Sequence, residues 1–266
     1  MSSTLLAPLA ALLYLAATAS QLLQISQRKL SVGKPVILLG LVALALHAVI
    51  VWHVVFGEDG VHLGFFKVSA VIFFVINLAC LTSLLRRPLQ NLLVVLFPLS
   101  ALSVLVSYFA PETGPGLTDM TGGILLHVSS SIMAYSVLTL AAVQAALLAL
   151  QDHNLRHRHM QGIVRILPPL QQMEDMLFEL LWIGVSLLTI AIVTGALFVD
   201  DLFAQSLVHK TALTIAAWVL FSTLLWGHYR LGWRSLTAVR FTLSGFVLLM
   251  LAFFGSKLVL ELILQR

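Results

Sequence analysis

The sequence predicts an all-α fold: a polytopic integral membrane bundle of about eight transmembrane helices, and three observations predict it. The chain is 60% hydrophobic and 10% charged, too little polar surface to coat a water-soluble globule. Runs of roughly 20 apolar residues, the length that crosses the hydrocarbon as helix, recur along the chain and leave no stretch for a soluble domain. Those runs are continuously apolar, without the alternation of lipid-facing and lumen-facing positions that a barrel strand shows. Residues 1–266 therefore read as a single transmembrane domain, with four N-terminal spans in 1–110 and a second set in 119–266.

Span one runs near Leu5 to Leu23. Its LAATAS end resembles a signal-peptide cleavage site, but no positive charge precedes it; Arg28 and Lys29 follow it, the arrangement of a retained helix with its amino end outside. Span two, Pro35 to Phe56, carries His47 near its middle and His53 nearer its outer end. Span three, Phe66 to Leu85, holds the single cysteine, Cys80, which has no partner for a disulfide or a CxxC pair and is given a packing role. Span four runs from Asn91 to Ala110, and span five, Gly122 to Leu150, opens with His127 and the serines Ser129 to Ser131. The connection after it contains DHNLRHRH and then LPPLQQMEDMLFEL, where Pro168 and Pro169 predict a short helix along the membrane surface. Span six is Phe178 to Val199, span seven Ser206 to Trp226, bracketed by His209 and His228, and span eight Phe241 to Ile263.

Loops rich in Lys and Arg stay on the cytoplasmic side. Here Arg28, Lys29 and Lys34, then Arg86 and Arg87, then Arg156, Arg158 and Arg165, then Arg230, Arg234 and Arg240 follow the odd-numbered spans. The intervening loops carry Glu58 with Asp59, Glu112 with Asp119, and Asp200 with Asp201, which places them and both termini outside the cytoplasm. The pattern predicts a multi-pass protein of a bacterial cytoplasmic (inner) membrane. The basic balance thus reflects topology, and no nucleic-acid partner is expected. No P-loop, GxGxxG or activated serine is present, so the chain is not expected to be an enzyme. A transporter is disfavoured because the spans lack an intramembrane carboxylate and clear inverted repeats.

Ionisable groups inside a membrane are costly, which makes the histidines the candidate functional residues. His47 is deep enough to have no water; His53 lies six residues on, turned about 240° away, and can snorkel to the interface beside Trp52. Helical spacing sets Ser130, Ser131, Ala134 and Tyr135 on the side of His127, a small and polar stripe suited to a neighbouring helix or a bound group. That leaves two roles for His127, an interhelical hydrogen bond or ligation. His209 and His228 are separated by about 28 Å of helix and belong to opposite membrane faces, His209 near the level of His127. His153 and His157 stand one helical turn apart, but contact of this basic segment with lipid headgroups is the favoured reading. No carboxylate accompanies His127 or His47 within its span, which disfavours a carboxylate-bridged metal pair. Histidine is a favoured axial ligand of haem, and apolar helices can hold a flat macrocycle, so haem is preferred to a bare metal.

The segments LLHVSSSIMAYSVLTL, ILPPLQQMEDMLFELLWIGVSLLTIAIVTGALF and HKTALTIAAWVLFSTLLWGHYRLGWRSLTAVRFTLSGFVLLMLAFFG resemble the membrane core of the cytochrome c assembly family, which includes the haem-handling proteins CcsA and CcmC. The likeness is greatest to the YpjD and HemX-like branch, and makes residues 119–266 the cytochrome c assembly-like core. The resemblance implies that His127 is an externally placed haem ligand and that His228 ligates haem near the cytoplasmic end of its helix. It likens His47 to a deep histidine of the YpjD-like branch. His47 is the first counterpart expected for His127, and His209, a candidate by depth alone, is the next. The implied cofactor is haem, of b type, and the implied partners are the lipid bilayer and another membrane or cytochrome assembly protein.

Two departures qualify what the resemblance implies. The tryptophan-rich loop ending in WDPKE is replaced by FVDDLFAQSLVHKTAL, which keeps only Lys210, and the HSY-like motif after the last span is replaced by GSKLVLELILQR. Ligation, sensing or support of another membrane protein is then expected in place of haem delivery. Ser130, Ser131 and Tyr135 are expected to orient an imidazole or a propionate, and Lys210 to anchor topology or pair with a propionate. A different class, a cofactor-free scaffold whose histidines only bridge helices, stays open beside the haem reading, with Gly184, Ser186, Gly195, Gly245 and Gly255 as close-packing surfaces for either.

Overall fold

The computed structural model describes residues 5–27, 33–57, 60–84, 90–109, 118, 121–157, 167–198 and 208–255. Among these, eight helices are long and apolar enough to cross a membrane. They are α1 (Leu6–Ser26), α2 (Lys34–Val55), α3 (Phe65–Ser83), α4 (Gln90–Phe109), α5 (Gly122–Arg156), α6 (Leu170–Phe198), α7 (Val208–Leu231) and α8 (Ser235–Met250). A π-helical turn, Leu251–Gly255, continues α8. The loop between α2 and α3 is pinched by a two-residue antiparallel pairing of β1 (Phe56–Gly57) with β2 (Gly60–Val61). The polarity is that of a membrane protein: Leu38, Trp182, Ile183 and Leu197 are exposed while His47, Asn77, Ser100 and Gln144 are buried.

The helices divide into two compact units, α1–α4 and α5–α8. In the first, α1 packs against α2 and α4, and α3 against α2 and α4. Lipid tails are as apolar as leucine, so close packing and internal polar contacts hold such helices together. One polar residue from each helix meets at the centre. The Tyr14 hydroxyl lies 3.1 Å from His47 Nδ1. Asn77 Nδ2 donates to Ser100 Oγ at 2.6 Å and, at 3.5 Å, approaches the Tyr14 oxygen. It also reaches back to the Phe73 carbonyl of its own helix at 2.8 Å. All four side chains are fully buried. Phe97 and Phe74 close over Tyr14 and His47, with ring centroids 5.3 and 5.8 Å away.

Because Asn77 touches α1 and α4 from α3, its removal takes one hydrogen bond from a partner on each of two other helices, while Tyr14 keeps His47 and Ser100 keeps the Leu96 carbonyl. Asn77→Ala is expected to destabilise the protein by about 0.6–1.7 kcal/mol, the range of interhelical hydrogen bonds in membrane proteins. Reversible unfolding in mixed micelles measures it. Asn77→Ser, which restores a hydroxyl but not the reach, is expected to recover little.

In the second unit α5 packs against α6 and α8, and α7 against α6 and α8, so α5 and α7 stand at opposite corners. Gly184 lets α6 approach α5 until an added Cβ would lie 2.6 Å from Leu138 Cδ2. Gly245 of α8 admits the Phe221 ring of α7 in the same way, at 2.8 Å. Ser186 is exposed, and among the described residues Gly255 meets only its own Leu251.

The surface helix expected after Pro168 and Pro169 is corrected here: the segment is the first part of α6, unbroken from Leu170 to Phe198. The physical reason is a tie to α5, which itself continues past Leu150 to Arg156. Gln144 Nε2 donates to the Met173 carbonyl at 3.0 Å and Gln151 Nε2 to the Pro168 carbonyl at 2.9 Å. Met173, Met176, Leu177 and Phe178 are buried as a result. α8 likewise begins before the expected Phe241; the expected end of span eight, after Gly255, lies outside the described residues.

Candidate functional site

His127 stands near the start of α5, half-buried, with its ring against α6. Two features of α6 receive it. Gly195 has no side chain, and a Cβ there would sit 2.9 Å from His127 Cε1. One turn earlier the Ala191 carbonyl lies 2.8 Å from His127 Nδ1. A carbonyl can only accept, so Nδ1 carries the proton, and in the neutral ring Nε2 keeps its lone pair. Among the described residues nothing hydrogen-bonds to that Nε2.

His228, near the end of α7, has the same chemistry. Its Nδ1 donates to the Trp233 carbonyl at 2.8 Å, which again leaves the lone pair on Nε2. Its ring lies flat on Phe178 of α6, centroids 3.5 Å apart at 19°. The turn that brings Trp233 back is made by Gly232 at φ +68, the left-handed conformation that ends helices. An imidazole that donates one N–H to a carbonyl and presents the other nitrogen is the arrangement found where histidine binds a metal.

His209, on the first turn of α7, is exposed and makes no hydrogen bond among the described residues. It shares its end of the unit with His127, because α5 and α7 run in the same direction with α6 antiparallel between them. Its neighbour Lys210 sets its Nζ 4.9 Å from the centre of the Phe253 ring in the π-helical turn, a contact that anchors α7 to α8. His47 belongs to the other unit. It is fully enclosed, and besides Tyr14 its polar neighbour is the Ala70 backbone; among the described residues Nε2 has no partner of hydrogen-bonding geometry. His53 is exposed, as its turn away from His47 predicts.

The serines and Tyr135 do not orient His127, contrary to expectation. Ser130 and Ser131 donate to the Leu126 and His127 carbonyls of their own helix, both at 2.7 Å. Tyr135 donates to the Leu249 carbonyl at 2.8 Å. A hydroxyl within a helix finds the carbonyl one turn back before it finds another side chain. His153 and His157 are exposed with ring centroids 4.2 Å apart; His159 lies outside the described residues. Among the described residues no group of three or more His, Cys, Asp or Glu side chains could hold a metal ion by itself. Cys80 is buried and free. The replaced loop, residues 199–207, and the final segment, residues 256–266, lie outside the described residues.

A family model described as Cytochrome C assembly protein matches residues 35–264. The match takes in three of the N-terminal spans as well as the core to which the motifs pointed. The chain is 32% identical to the inner membrane protein YpjD of Escherichia coli strain K12 over 236 residues, which is 89% of this chain and 88% of the relative. It is 26% identical to protein HemX of Brevibacillus brevis, covering 57% of this chain and 58% of that one. An uncharacterized 28.8 kDa protein of Azospirillum brasilense is 33% identical over 52% of each chain. No solved structure matches.

Proposed function

This chain belongs to the cytochrome c assembly protein family as a multi-pass inner-membrane protein, and from that premise we propose that it binds haem through histidine, in haem handling or cytochrome biogenesis. The observation that carries the reading is the His127 ring. It is half-buried, held by Ala191 in the Nδ1–H tautomer, and left with a lone pair on Nε2. The donor set fits the group: neutral imidazoles suit haem iron, and apolar helices suit its macrocycle.

His127 would hold the haem iron at the end predicted to face outward, and His209, exposed across the unit on α7, would supply the second imidazole. His228 serves a separate position at the opposite end of α7. His47, the first counterpart expected from the sequence, is fully enclosed and bonded to Tyr14 beside Asn77 and Ser100, which supports a packing role for it and leaves His209 as the counterpart proposed. The haem is b type, held by ligation alone. When bound it would supply a redox-active iron; the protein's part is to present the Nε2 atoms of His127 and His228 in a fixed tautomer. No reaction of the protein's own is proposed, so the chain is not read as an enzyme. The client is another membrane or cytochrome assembly protein.

A cofactor-free scaffold is the second reading, favoured by the fact that the Ala191 bond already gives His127 work between helices. Protein purified in detergent from haem-replete cells decides between them. Bound haem with a low-spin, two-imidazole spectrum is expected. His209→Ala is expected to retain haem but convert it to a high-spin, single-imidazole form; an unchanged low-spin spectrum in that variant removes His209 from the site.

A further inference from the structure

The His228 end of the second unit contains a carboxylate that the ligand reading leaves unused. Glu174 of α6 is 8% exposed, and Oε1 accepts the Ser235 backbone N–H at 3.2 Å. A buried carboxylate is costly inside a membrane protein and calls for a specific task. Ser235 needs the tie. It opens α8 at φ +47, a left-handed conformation that costs a residue with a side chain about 1 kcal/mol or more.

Between Ser235 and His228 the chain is one continuous clamp. The Gly232 N–H donates to the His228 carbonyl and the Trp233 N–H to the Gly227 carbonyl, both at 3.2 Å. The Trp233 ring closes on Gly227, where a Cβ would collide with Cε3. The Trp233 carbonyl then takes His228 Nδ1–H. Phe178, one helical turn after Glu174 and on the same side of α6, covers a face of the imidazole. Helix α6 therefore touches this assembly twice, at the turn through Glu174 and at the ring through Phe178.

We propose that Glu174 is a positioning residue for His228: by holding Ser235 it fixes the α7–α8 turn in which the Trp233 carbonyl locks His228 as the Nδ1–H tautomer with Nε2 free to ligate. The role toward haem rests on the ligation reading above; the role toward the imidazole does not.

Full-length protein labelled with ¹⁵N-histidine, in detergent and without haem, reads the tautomer directly from its ring nitrogen shifts, with the His228 signals identified by their absence in His228→Gln. Wild type and Glu174→Gln, whose amide oxygen still accepts from Ser235, are expected to show the Nδ1–H form. Glu174→Ala is expected to show exchange between both tautomers and, in haem titrations, an affinity at the His228 position about tenfold lower. If Glu174→Ala does not fold, Glu174→Asp, whose shorter arm falls short of Ser235, is read in the same way. An unaltered Nδ1–H signal in the Ala or Asp variant overturns the proposal, as does a loss in Glu174→Gln as large as in Glu174→Ala. Wild-type protein that takes up no haem defeats the ligation reading, and the tautomer still decides the role of Glu174.

Discussion

Replacing His127 with alanine is expected to weaken haem binding at its end of the bundle by about a hundredfold, at or beyond the top of the range seen when only a ligand's hydrogen-bond partner is lost. Haem content per purified protein, measured as pyridine haemochrome, records the loss. The same substitution removes the bond to Ala191 and is expected to cost about 0.6–1.5 kcal/mol of stability, typical of hydrogen bonds between membrane helices. His127→Asn separates the two effects. Its side-chain amide can still donate toward the Ala191 carbonyl but offers iron no imidazole, so stability is expected to recover while haem stays absent. Recovery of both with asparagine would mean that His127 acts only between helices.

Gly195→Val is expected to produce the second large effect without altering any candidate ligand. A Cβ at this position already falls 2.9 Å from His127 Cε1 and 3.0 Å from Nδ1, and the two valine methyls add to the conflict. The ring must leave α6, and overpacking of this kind costs about 1–3 kcal/mol. Haem occupancy is expected to fall with it, because the displaced ring loses the Ala191 carbonyl that fixes its tautomer. In a His127→Ala background the same valine meets no imidazole. There it is expected to be nearly neutral, so a double-mutant cycle reads the contact by itself. Equal destabilisation in both backgrounds would place the conflict elsewhere.

The spans and the candidate histidines are legible in the sequence because they are written in composition and spacing. An apolar run near 20 residues has few other uses, and a histidine inside one stands out. What holds each histidine is not legible. The partners of His127 and His228 are the carbonyls of Ala191 and Trp233, and every residue has a carbonyl. Gly195 was visible as a packing residue, but its fit to His127 depends on how α5 and α6 are rotated, which no local pattern encodes. The serine stripe misled for a related reason: its helical face is correct, yet a hydroxyl's nearest carbonyl is on its own helix. Glu174 was hidden by the reading of Pro168 and Pro169 as the start of a surface helix, which placed the carboxylate in the headgroups and not inside the unit. His47 was singled out correctly as buried, but its companions Tyr14, Asn77 and Ser100 lie on three other helices and meet it only through tertiary packing.

The measurement that bears most directly on haem ligation is a titration of the purified, haem-free protein with haem, followed by its Soret absorption and low-temperature electron paramagnetic resonance. Saturable binding is predicted, with a low-spin, two-imidazole signal that disappears in His127→Ala. A well-folded wild-type protein that takes up no haem, or one whose signal is the same without His127, contradicts it.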